Sequence, residues 1–271
     1  MKVMKKIAFC IFIATAYLYW QNNGIMITKY QYQNSKIPKS FCGYRILQIS
    51  DLQNKIFGKH HKKLVSIIQK QCPDCIVITG DLLDRNRTNV SSAIELIRQI
   101  VNIAPVYYVS GNHEHQSGKY QDLIALLEQC GVFVLENNKQ IITKQKESIA
   151  ILGIKDKSVN SNYQKALSVL TKMEKESIQI LLSHRPELLD IYSQYDIDLV
   201  LTGHAHGGQI RIPFVGGIFA PHQGFFPKYT NGVHTKNNTT MIISRGLGNS
   251  TFPFRINNRI ELLVIKLMDK A

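Results

Sequence analysis

The chain has 271 residues, of which 44% are apolar, and this composition is ordinary for a globular protein with a hydrophobic core. The length suits one large α/β domain or two small ones, and the lack of a composition break or internal repeat favours one. The formal net charge of +14 suits an anionic membrane surface, whereas no stripe of basic and aromatic residues points to nucleic acid. The single CxxC spacing, at 72–75, argues against a structural zinc knuckle.

The amino terminus has the pattern of a membrane-targeting segment. Residues 1–6 include three lysines, and residues 7–20 form an apolar run that ends in Trp20. We predict an uncleaved signal anchor, with a signal peptide cleaved near residues 14–16, and hence secretion, as the alternative, and an internal helix as a third. Either export route keeps the lysines inside and places the rest of the chain outside the cytoplasm. Residues 21–43 are then predicted to be a polar, basic tether near an anionic membrane.

Five short apolar runs predict buried strands, and each is followed by a side chain that can bind a metal. The runs are 45–50, 75–80, 106–111, 178–183 and 197–203, and they are followed by Asp51, Asp81, Asn112, His184, and His204 with His206. Taken singly, an Asp after a strand is more often a helix cap or turn residue than a ligand. Because open α/β sheets bind ligands at the carboxyl ends of their strands, the five endings together predict a shared metal site.

Amphipathic helices are predicted between these strands, and strands and loops dominate towards the carboxyl terminus. Helices are expected at 58–71, from 89, at 119–130, at 163–174 and from 186, and further strands at 132–135, 140–143, 149–153, 241–244 and 260–267. Residues 216–229 form a long apolar-aromatic loop. We expect it to pack over the sheet edge or, alternatively, to meet a lipid or another amphiphilic substrate. His222 and His234 are predicted to be structural or surface residues.

Together these residues resemble the signature of the calcineurin-like metallophosphoesterases. The matching positions are Asp51-x-Gln53, Gly80-Asp81-x-x-Asp84-Arg85, Gly111-Asn112-His113-Glu114, His184 and Gly203-His204-x-His206. Segments 207–214, 223–229 and 244–248 resemble a bacterial, membrane-associated branch of that family. The resemblance implies a metallophosphoesterase domain over residues 44–271. Its expected fold is a four-layer αββα sandwich of two mixed β-sheets, here preceded by an amino-terminal apolar anchor helix.

The resemblance also implies a site for two divalent cations that share one carboxylate. Asp81 would bridge them; Asp51, Gln53 and His206 would complete one site, and Asn112, His184 and His204 the other. His113 would protonate the leaving oxygen or stabilise its developing charge, and Asp84 would orient His113. Arg85 would bind the phosphate, with Arg245 a weaker candidate for that task. The expected activity is attack of a metal-bound hydroxide on a phosphoester, whether a monoester, a diester or a pyrophosphate. A lipid or cell-envelope molecule is one candidate substrate.

One position departs from the family pattern. Gln53 stands where the family has a histidine, and its amide oxygen is a hard, neutral ligand. We therefore expect Mn²⁺ in preference to Zn²⁺, Fe or Mg²⁺. An alternative hypothesis is a pseudoenzyme with an impaired first metal site that binds a phosphorylated ligand without turnover. Nucleic-acid binding through the basic charge is a third hypothesis, which no motif supports, so the expected partners are a phosphoester and, through the amino-terminal segment, a membrane.

Overall fold

The computed structural model describes residues 1–172, 178–249 and 252–270. The strands are β1 (Met26–Asn34), β2 (Arg45–Ile49), β3 (Cys75–Thr79), β4 (Val106–Val109), β5 (Phe133–Val134), β6 (Asn138–Lys144), β7 (Glu147–Gly153), β8 (Gln179–Leu182), β9 (Leu199–Thr202), β10 (Arg211–Ile212), β11 (Gly216–Gly217), β12 (Phe219–Ala220), β13 (Gly224–Phe225), β14 (Gly232–Lys236), β15 (Thr239–Ile243) and β16 (Glu261–Asp269). The helices are α1 (Lys2–Asn23), α2 (Lys62–Lys70), α3 (Val90–Ile100), α4 (Asn112–Gln116), α5 (Tyr120–Gln129), α6 (Tyr163–Leu170) and α7 (Leu189–Tyr192).

Two six-stranded mixed sheets form the framework. The first has the order β1-β16-β2-β3-β4-β5, and β2 to β5 run parallel. The second has the order β14-β15-β9-β8-β7-β6, and β15, β9, β8 and β7 run parallel. Strands β2, β3, β4, β8 and β9 are almost entirely buried, which is why their sequences are continuous apolar runs rather than alternating ones.

Apolar clusters separate the layers. One lies between the sheets and joins Ile46 and Val77 of the first to Ile180 and Leu201 of the second. A second packs α2, α3 and α5 on the outer face of the first sheet, and a third packs α6 and α7 on the outer face of the second. The order helix, sheet, sheet, helix confirms the predicted four-layer αββα sandwich.

Most predicted helices form close to their expected limits. Asn89 caps α3, because its side-chain oxygen accepts a hydrogen bond from the Ser92 amide at 3.0 Å. The predicted helix at 58–71 instead begins with a short 3₁₀ turn, Lys59–His61, before α2. The predicted helix at 163–174 is α6, and its residues 173 and 174 lie outside the described residues.

The structure corrects the predicted tether at 21–43. Helix α1 continues to Asn23, and Met26–Asn34 forms the edge strand β1, which pairs in parallel with β16 along its whole length. Side chains of β1 alternate in exposure, and Tyr32 is buried in the cluster between the sheets. The lysine and glutamine residues that suggested a solvated tether lie on the exposed face of this edge strand, where polar residues are ordinary. The tether prediction is therefore wrong.

Candidate metal centre

The predicted ligands meet where strands of both sheets end. Asp51, Asp81 and Asn112 follow β2, β3 and β4, and His184 and His204 come shortly after β8 and β9. Hydrogen bonds tie the two edges together: the His204 amide donates to the Asp51 carboxylate at 3.0 and 3.1 Å. The two sheets thus contribute to one buried cluster, as the repeated strand endings predicted.

Several of these residues have a left-handed backbone that non-glycine residues rarely adopt. The φ angles are +50° at Asp51, +52° at Gln53 and at Asp81, +66° at His204 and +46° at His206. Each such residue turns the chain sharply at the end of its strand and directs its side chain to the common centre. Left-handed conformations cost energy and are concentrated at functional sites, so their gathering here marks the cluster as a site.

Two glycines of the motifs leave the space that this convergence needs. A Cβ at Gly80, whose φ is +86°, would lie 2.6 Å from the Gly111 amide nitrogen. A Cβ at Gly203 would lie 2.3 Å from Oδ2 of Asp51. Both distances are too short for any side chain, so these motifs need glycine for close approach of the backbone to the ligands.

One group of ligand atoms consists of Asp81, His184 and His204, whose ligand atoms all lie within 4.8 Å of one another. Nε2 of His184 is 3.3 Å from Oδ2 of Asp81 and 3.0 Å from Nδ1 of His204. Two imidazole nitrogens that face each other beside a carboxylate suit a shared cation. Asn112 is buried, and its Oδ1 accepts no hydrogen bond from the described residues. This orphaned oxygen fits the fourth ligand position assigned to it.

The second group consists of Asp51, Asp81 and His206 under the same distance limit. Nε2 of His206 is 3.3 Å from Oδ1 of Asp51. Gln53 donates its Nε2 to Oδ2 of Asp81 at 2.9 Å, and its buried Oε1 has no hydrogen-bond partner in the described part of the chain. Asp81 belongs to both groups, so the residues present fit two cations that share it.

The pKa shifts of the cluster residues indicate that positive charge stabilises the cluster. Burial opposes ionisation of Asp81, but the imidazole of His184 and then that of His113 hold its pKa well below the usual range. Burial likewise opposes the His184 cation, yet Asp81 raises the pKa of His184 to about 10. Burial, and then the neighbouring His184, keep the pKa of His204 well below its ordinary value. A proton on His184 therefore balances charge in this cluster, and a bound cation would replace it.

His113 is buried beside the cluster. Its Nε2 is 3.9 Å from Oδ2 of Asp81, and its Nδ1 accepts the backbone N–H of Arg85 at 3.2 Å. The structure contradicts the predicted pairing of Asp84 with His113. The Asp84 carboxylate instead accepts hydrogen bonds from the Asn86 amide at 2.8 Å and from the Arg87 side chain at 2.9 Å. Asp84 thus closes its own turn, as a carboxylate followed by polar residues commonly does.

The two arginines considered for the phosphate differ in availability. Arg85 is exposed and donates to Gln116 at 2.7 Å, and Gln116 lies on α4, the helix that carries His113. Arg245 is half-buried and donates to Glu261 at 2.7 Å. Its charge is therefore paired inside the protein, so of the two candidates Arg85 is the more available for a phosphate.

Glu114 belongs to the Gly-Asn-His-Glu motif but was not among the predicted site residues. Its fully buried carboxylate accepts the backbone N–H groups of Asp81 at 3.0 Å, Leu83 at 3.0 Å and Gly111 at 2.8 Å. Burial, and then the charge of Asp81, raise the pKa of Glu114 to about 7. Glu114 holds together the two loops that carry Asp81 and Asn112, a role that its position in the motif could have indicated.

Further residues in contact with the ligands carry no local sequence signal. Nη1 of Arg185 lies 3.0 Å from Nε2 of His204, and the Arg185 guanidinium donates to both oxygens of Asp156, at 2.7 and 2.8 Å. Nη2 of Arg255, a fully buried residue, lies 3.3 Å from Nδ1 of His206. Such contacts fix the orientation of ligating imidazoles. They join positions far apart in the chain, so periodicity and spacing could not reveal them.

Comparisons with known proteins agree with this site. Residues 44–208 match the family model of the calcineurin-like phosphoesterases. An uncharacterized metallophosphoesterase of Bacillus subtilis, YkuE, is 31% identical over 257 residues, which cover 92% of this chain and 87% of the relative. The phosphodiesterase YaeI of Escherichia coli is 28% identical, with 83% and 82% covered. The crystal structure of TT1561 of Thermus thermophilus has the same fold, with a TM-score of 0.53 and 12% identity over 76% of this chain and 90% of that one.

Proposed function

Since the chain belongs to the calcineurin-like metallophosphoesterase family, whose members are metal-dependent hydrolases of ester bonds, we propose that it hydrolyses a phosphoester at a centre of two divalent cations. The observation that carries this proposal is the sharing of Asp81 by two groups of buried ligand atoms, one with Asp51 and His206 and the other with His184 and His204. A carboxylate shared by two cations would offset part of the charge of each and keep them close together, as two-metal catalysis at phosphorus requires. Gln53 and Asn112 complete the two proposed sites through their free side-chain oxygens.

The proposed chemistry divides between the cations and the side chains. Cations held by the two groups would lower the pKa of a water molecule and offset the charge of the phosphoryl oxygens. Because Nδ1 of His113 accepts the Arg85 amide, its neutral ring carries the proton on Nε2, which faces the cluster. We assign to that nitrogen the transfer of a proton to the leaving oxygen. The Arg85 guanidinium lies beside the same helix and is proposed to contact the phosphate.

The proposed cation is Mn²⁺. The group of Asp51, Asp81 and His206 offers two carboxylates, one imidazole and the amide oxygen of Gln53, and this oxygen-rich set favours Mn²⁺ or Mg²⁺ over Zn²⁺. Gln53 is also the one observation that favours the pseudoenzyme hypothesis, because its amide binds cations less strongly than an imidazole. Against that hypothesis, the amide oxygen is buried at the cluster and free to act as a ligand.

The test uses the full chain in detergent micelles with p-nitrophenyl phosphate and bis(p-nitrophenyl) phosphate as substrates. We expect hydrolysis with Mn²⁺, its loss on chelation and its return with Mn²⁺. His113→Ala should lower kcat by ~10²–10⁴ and leave the Mn²⁺ content unchanged. His115→Ala on the same helix is the matched control, because His115 contacts Ser110 and Tyr120 rather than Asp81. A fully Mn²⁺-loaded protein that cleaves neither ester would favour the pseudoenzyme, and metal lost in step with rate would contradict the role of His113.

We also propose that α1 anchors the domain to a membrane, with the catalytic part outside the cytoplasm. By length and composition, α1 could cross a bilayer: it has 22 residues, an 18-residue window of mean hydropathy 1.4, and no burial of that window. The whole helix is about 33 Å long and its apolar part, residues 7–20, about 21 Å, so the lysines at one end and Trp20 at the other would lie near the two interfaces of a hydrocarbon core of about 30 Å. The alternative is a signal segment removed after export. Mass spectrometry of the protein from the membrane and secreted fractions decides between them. A chain that retains residues 1–20 supports the anchor, and a chain that lacks them supports the secreted form.

A further inference from the structure

Six of the 11 phenylalanines form an exposed group that the proposed reaction does not use. We name this group the phenylalanine rim; it consists of Phe214, Phe219, Phe225, Phe226, Phe252 and Phe254. Phe214 is fully exposed, and Phe225 and Phe226 expose 74% and 65% of their surface. Phenylalanine side chains are usually buried, and an exposed cluster of them marks a surface that contacts a protein or a membrane.

Backbone hydrogen bonds bring the segments of the rim together. The Phe226 amide donates to the Ile218 carbonyl at 2.8 Å, and the Ile218 amide donates to the Ile210 carbonyl at 2.9 Å. On the other side, the Gln209 side chain donates to the Phe252 carbonyl at 3.3 Å. Phe219 and Phe225 are opposite each other in the β12–β13 ladder, with ring centroids 5.6 Å apart. The rim is therefore built on adjacent segments, 209–226 and 252–254, rather than on scattered positions.

The rim is continuous with the end of α1. The Tyr17 hydroxyl donates to Oδ1 of Asn257 at 2.5 Å, and the Asn257 side chain donates to the Arg211 carbonyl at 3.3 Å, on β10. The Trp20 ring lies 4.3 Å from the Arg259 guanidinium. The β10–β11 hairpin, with Phe214 at its tip, and Asn257 line a hollow of about 410 Å³. The apolar helix thus leaves the domain beside the rim, so a bilayer that holds α1 also faces the rim.

The same surface adjoins the metal centre. Gln21, at the buried end of α1, accepts the backbone N–H of Asn258 at 3.0 Å, and the Asn258 side chain donates to the His206 carbonyl at 2.7 Å. On the rim side, the ring of His222 stacks on that of His204 with centroids 5.3 Å apart. Two hydrogen bonds therefore join the anchor helix to one ligand, and a residue of the rim segment contacts another.

We propose that the phenylalanine rim inserts into the interfacial layer of a lipid bilayer beside α1 and holds the metal centre at the membrane surface. The substrate class that follows is a phosphoester carried by a membrane-borne amphiphile, and this second statement rests on the proposed function. Aromatic side chains are favoured at the interface between lipid and water, where the rings leave water without entering the hydrocarbon core. The net charge of +14 adds attraction to anionic headgroups.

The insertion is tested by fluorescence, because the chain has a single tryptophan. In a Trp20→Phe background, Phe225→Trp is reconstituted as the full chain into phosphatidylcholine–phosphatidylglycerol vesicles with and without brominated acyl chains. We expect a blue-shifted emission that brominated lipid quenches. Val169→Trp in the same background is the matched control, since Val169 on α6 is similarly exposed, at 63%, and should stay unquenched. Equal quenching of the two reporters, or none at position 225, overturns the proposal.

The consequence for the substrate is tested by kinetics. The triple variant Phe214→Ser/Phe225→Ser/Phe226→Ser is compared with Val159→Ser/Val169→Ser, which also removes exposed apolar side chains. For hexadecyl p-nitrophenyl phosphate in vesicles, we expect the triple variant to raise KM roughly tenfold, with bis(p-nitrophenyl) phosphate in water hydrolysed as by the parent. If the triple variant and the parent have the same KM for the vesicle-borne ester, the proposed substrate class is wrong. If the parent cleaves neither ester, the proposed function is wrong. The quenching experiment still tests whether the phenylalanine rim inserts into the bilayer.

Discussion

Replacing Arg185 by methionine should destabilise the protein strongly, because it leaves the buried Asp156 carboxylate without its cation. Asp156 and Arg185 expose only 1% and 3% of their surface, and two hydrogen bonds of 2.7 and 2.8 Å join them. Burial alone would raise the pKa of Asp156, but Arg185 lowers it from 3.8 to about 2. That difference corresponds to roughly 2.5 kcal/mol at about 1.36 kcal/mol per pKa unit. Loss of one partner of a buried pair costs about 3–5 kcal/mol, so the two magnitudes agree on a large effect.

The assay is thermal unfolding of the full chain, followed by near-UV circular dichroism in detergent. A loss of about 3–5 kcal/mol lowers the midpoint by roughly 6–20 °C for a domain of this size. Because the folded pKa of Asp156 is depressed, the stability from the pair is present above pH 4 and is lost as the pH falls towards 2. The difference between parent and Arg185→Met should therefore shrink over that range. Lys236→Met is the control, since it breaks an exposed pair with Asp190 and should leave the midpoint unchanged. A midpoint for Arg185→Met equal to that of this control would refute the reasoning.

Three further outcomes concern the metal centre. Gln53→His should raise Zn²⁺ affinity relative to Mn²⁺ in calorimetric titrations, because imidazole nitrogen replaces an amide oxygen in the group of Asp51, Asp81 and His206; an unchanged preference would show that Gln53 is not a ligand. Glu114→Gln should weaken Mn²⁺ binding by about 10–100-fold at pH 8, because one acceptor for the three loop amides is lost. Glu128→Gln on the exposed face of α5 is its control, and equal affinities for the two variants would contradict the role of Glu114. Because Asp81, against the effect of burial, raises the pKa of His184 to about 10, Mn²⁺ binding at pH 7 should release a proton and strengthen as the pH rises. Titrations in buffers of different ionisation enthalpy measure that proton, and a pH-independent affinity would contradict the assignment of His184.

The sequence predicts the framework of the centre well because the relevant signals are local. Most of the proposed ligands follow a largely apolar run, and parallel strands bring their carboxyl ends to one edge of the sheet, independently of the loops that connect them. That logic placed Asp51, Asp81 and His184 in one cluster without knowledge of the loops. The strands themselves were predictable, since runs such as β3 and β9 are buried on both faces and contain no polar alternation, whereas their division into two sheets was implied by the family resemblance.

The features that the sequence did not predict depend on tertiary contacts or on competition within a turn. Asp84 accepts the Asn86 amide instead of orienting His113, because a nearby amide in the same turn offers a partner at lower entropic cost. Strand β1 contains lysine and glutamine at its exposed positions, and only its pairing with β16 distinguishes it from a solvated linker. The pair of Arg185 with Asp156 joins positions 29 residues apart and leaves no periodic trace.

The backbone of the site explains why so few residue types are compatible with it. Five proposed ligands adopt left-handed conformations, and each such residue costs about 1 kcal/mol or more relative to ordinary backbone. Their sum, roughly 5 kcal/mol, is comparable with the whole net stability of a typical domain. The surrounding structure offsets this cost through the apolar sheets, the three amide hydrogen bonds of Glu114 and the ion pair of Arg185. Cations that bind only the folded chain add about 2.7 kcal/mol at a concentration of 100 Kd. The free-energy cost of the left-handed strand ends is therefore offset jointly by the buried ion pair, the packing of the sheets and the proposed cations. Loss of any one of these contributions should weaken the positioning of the ligands as a group.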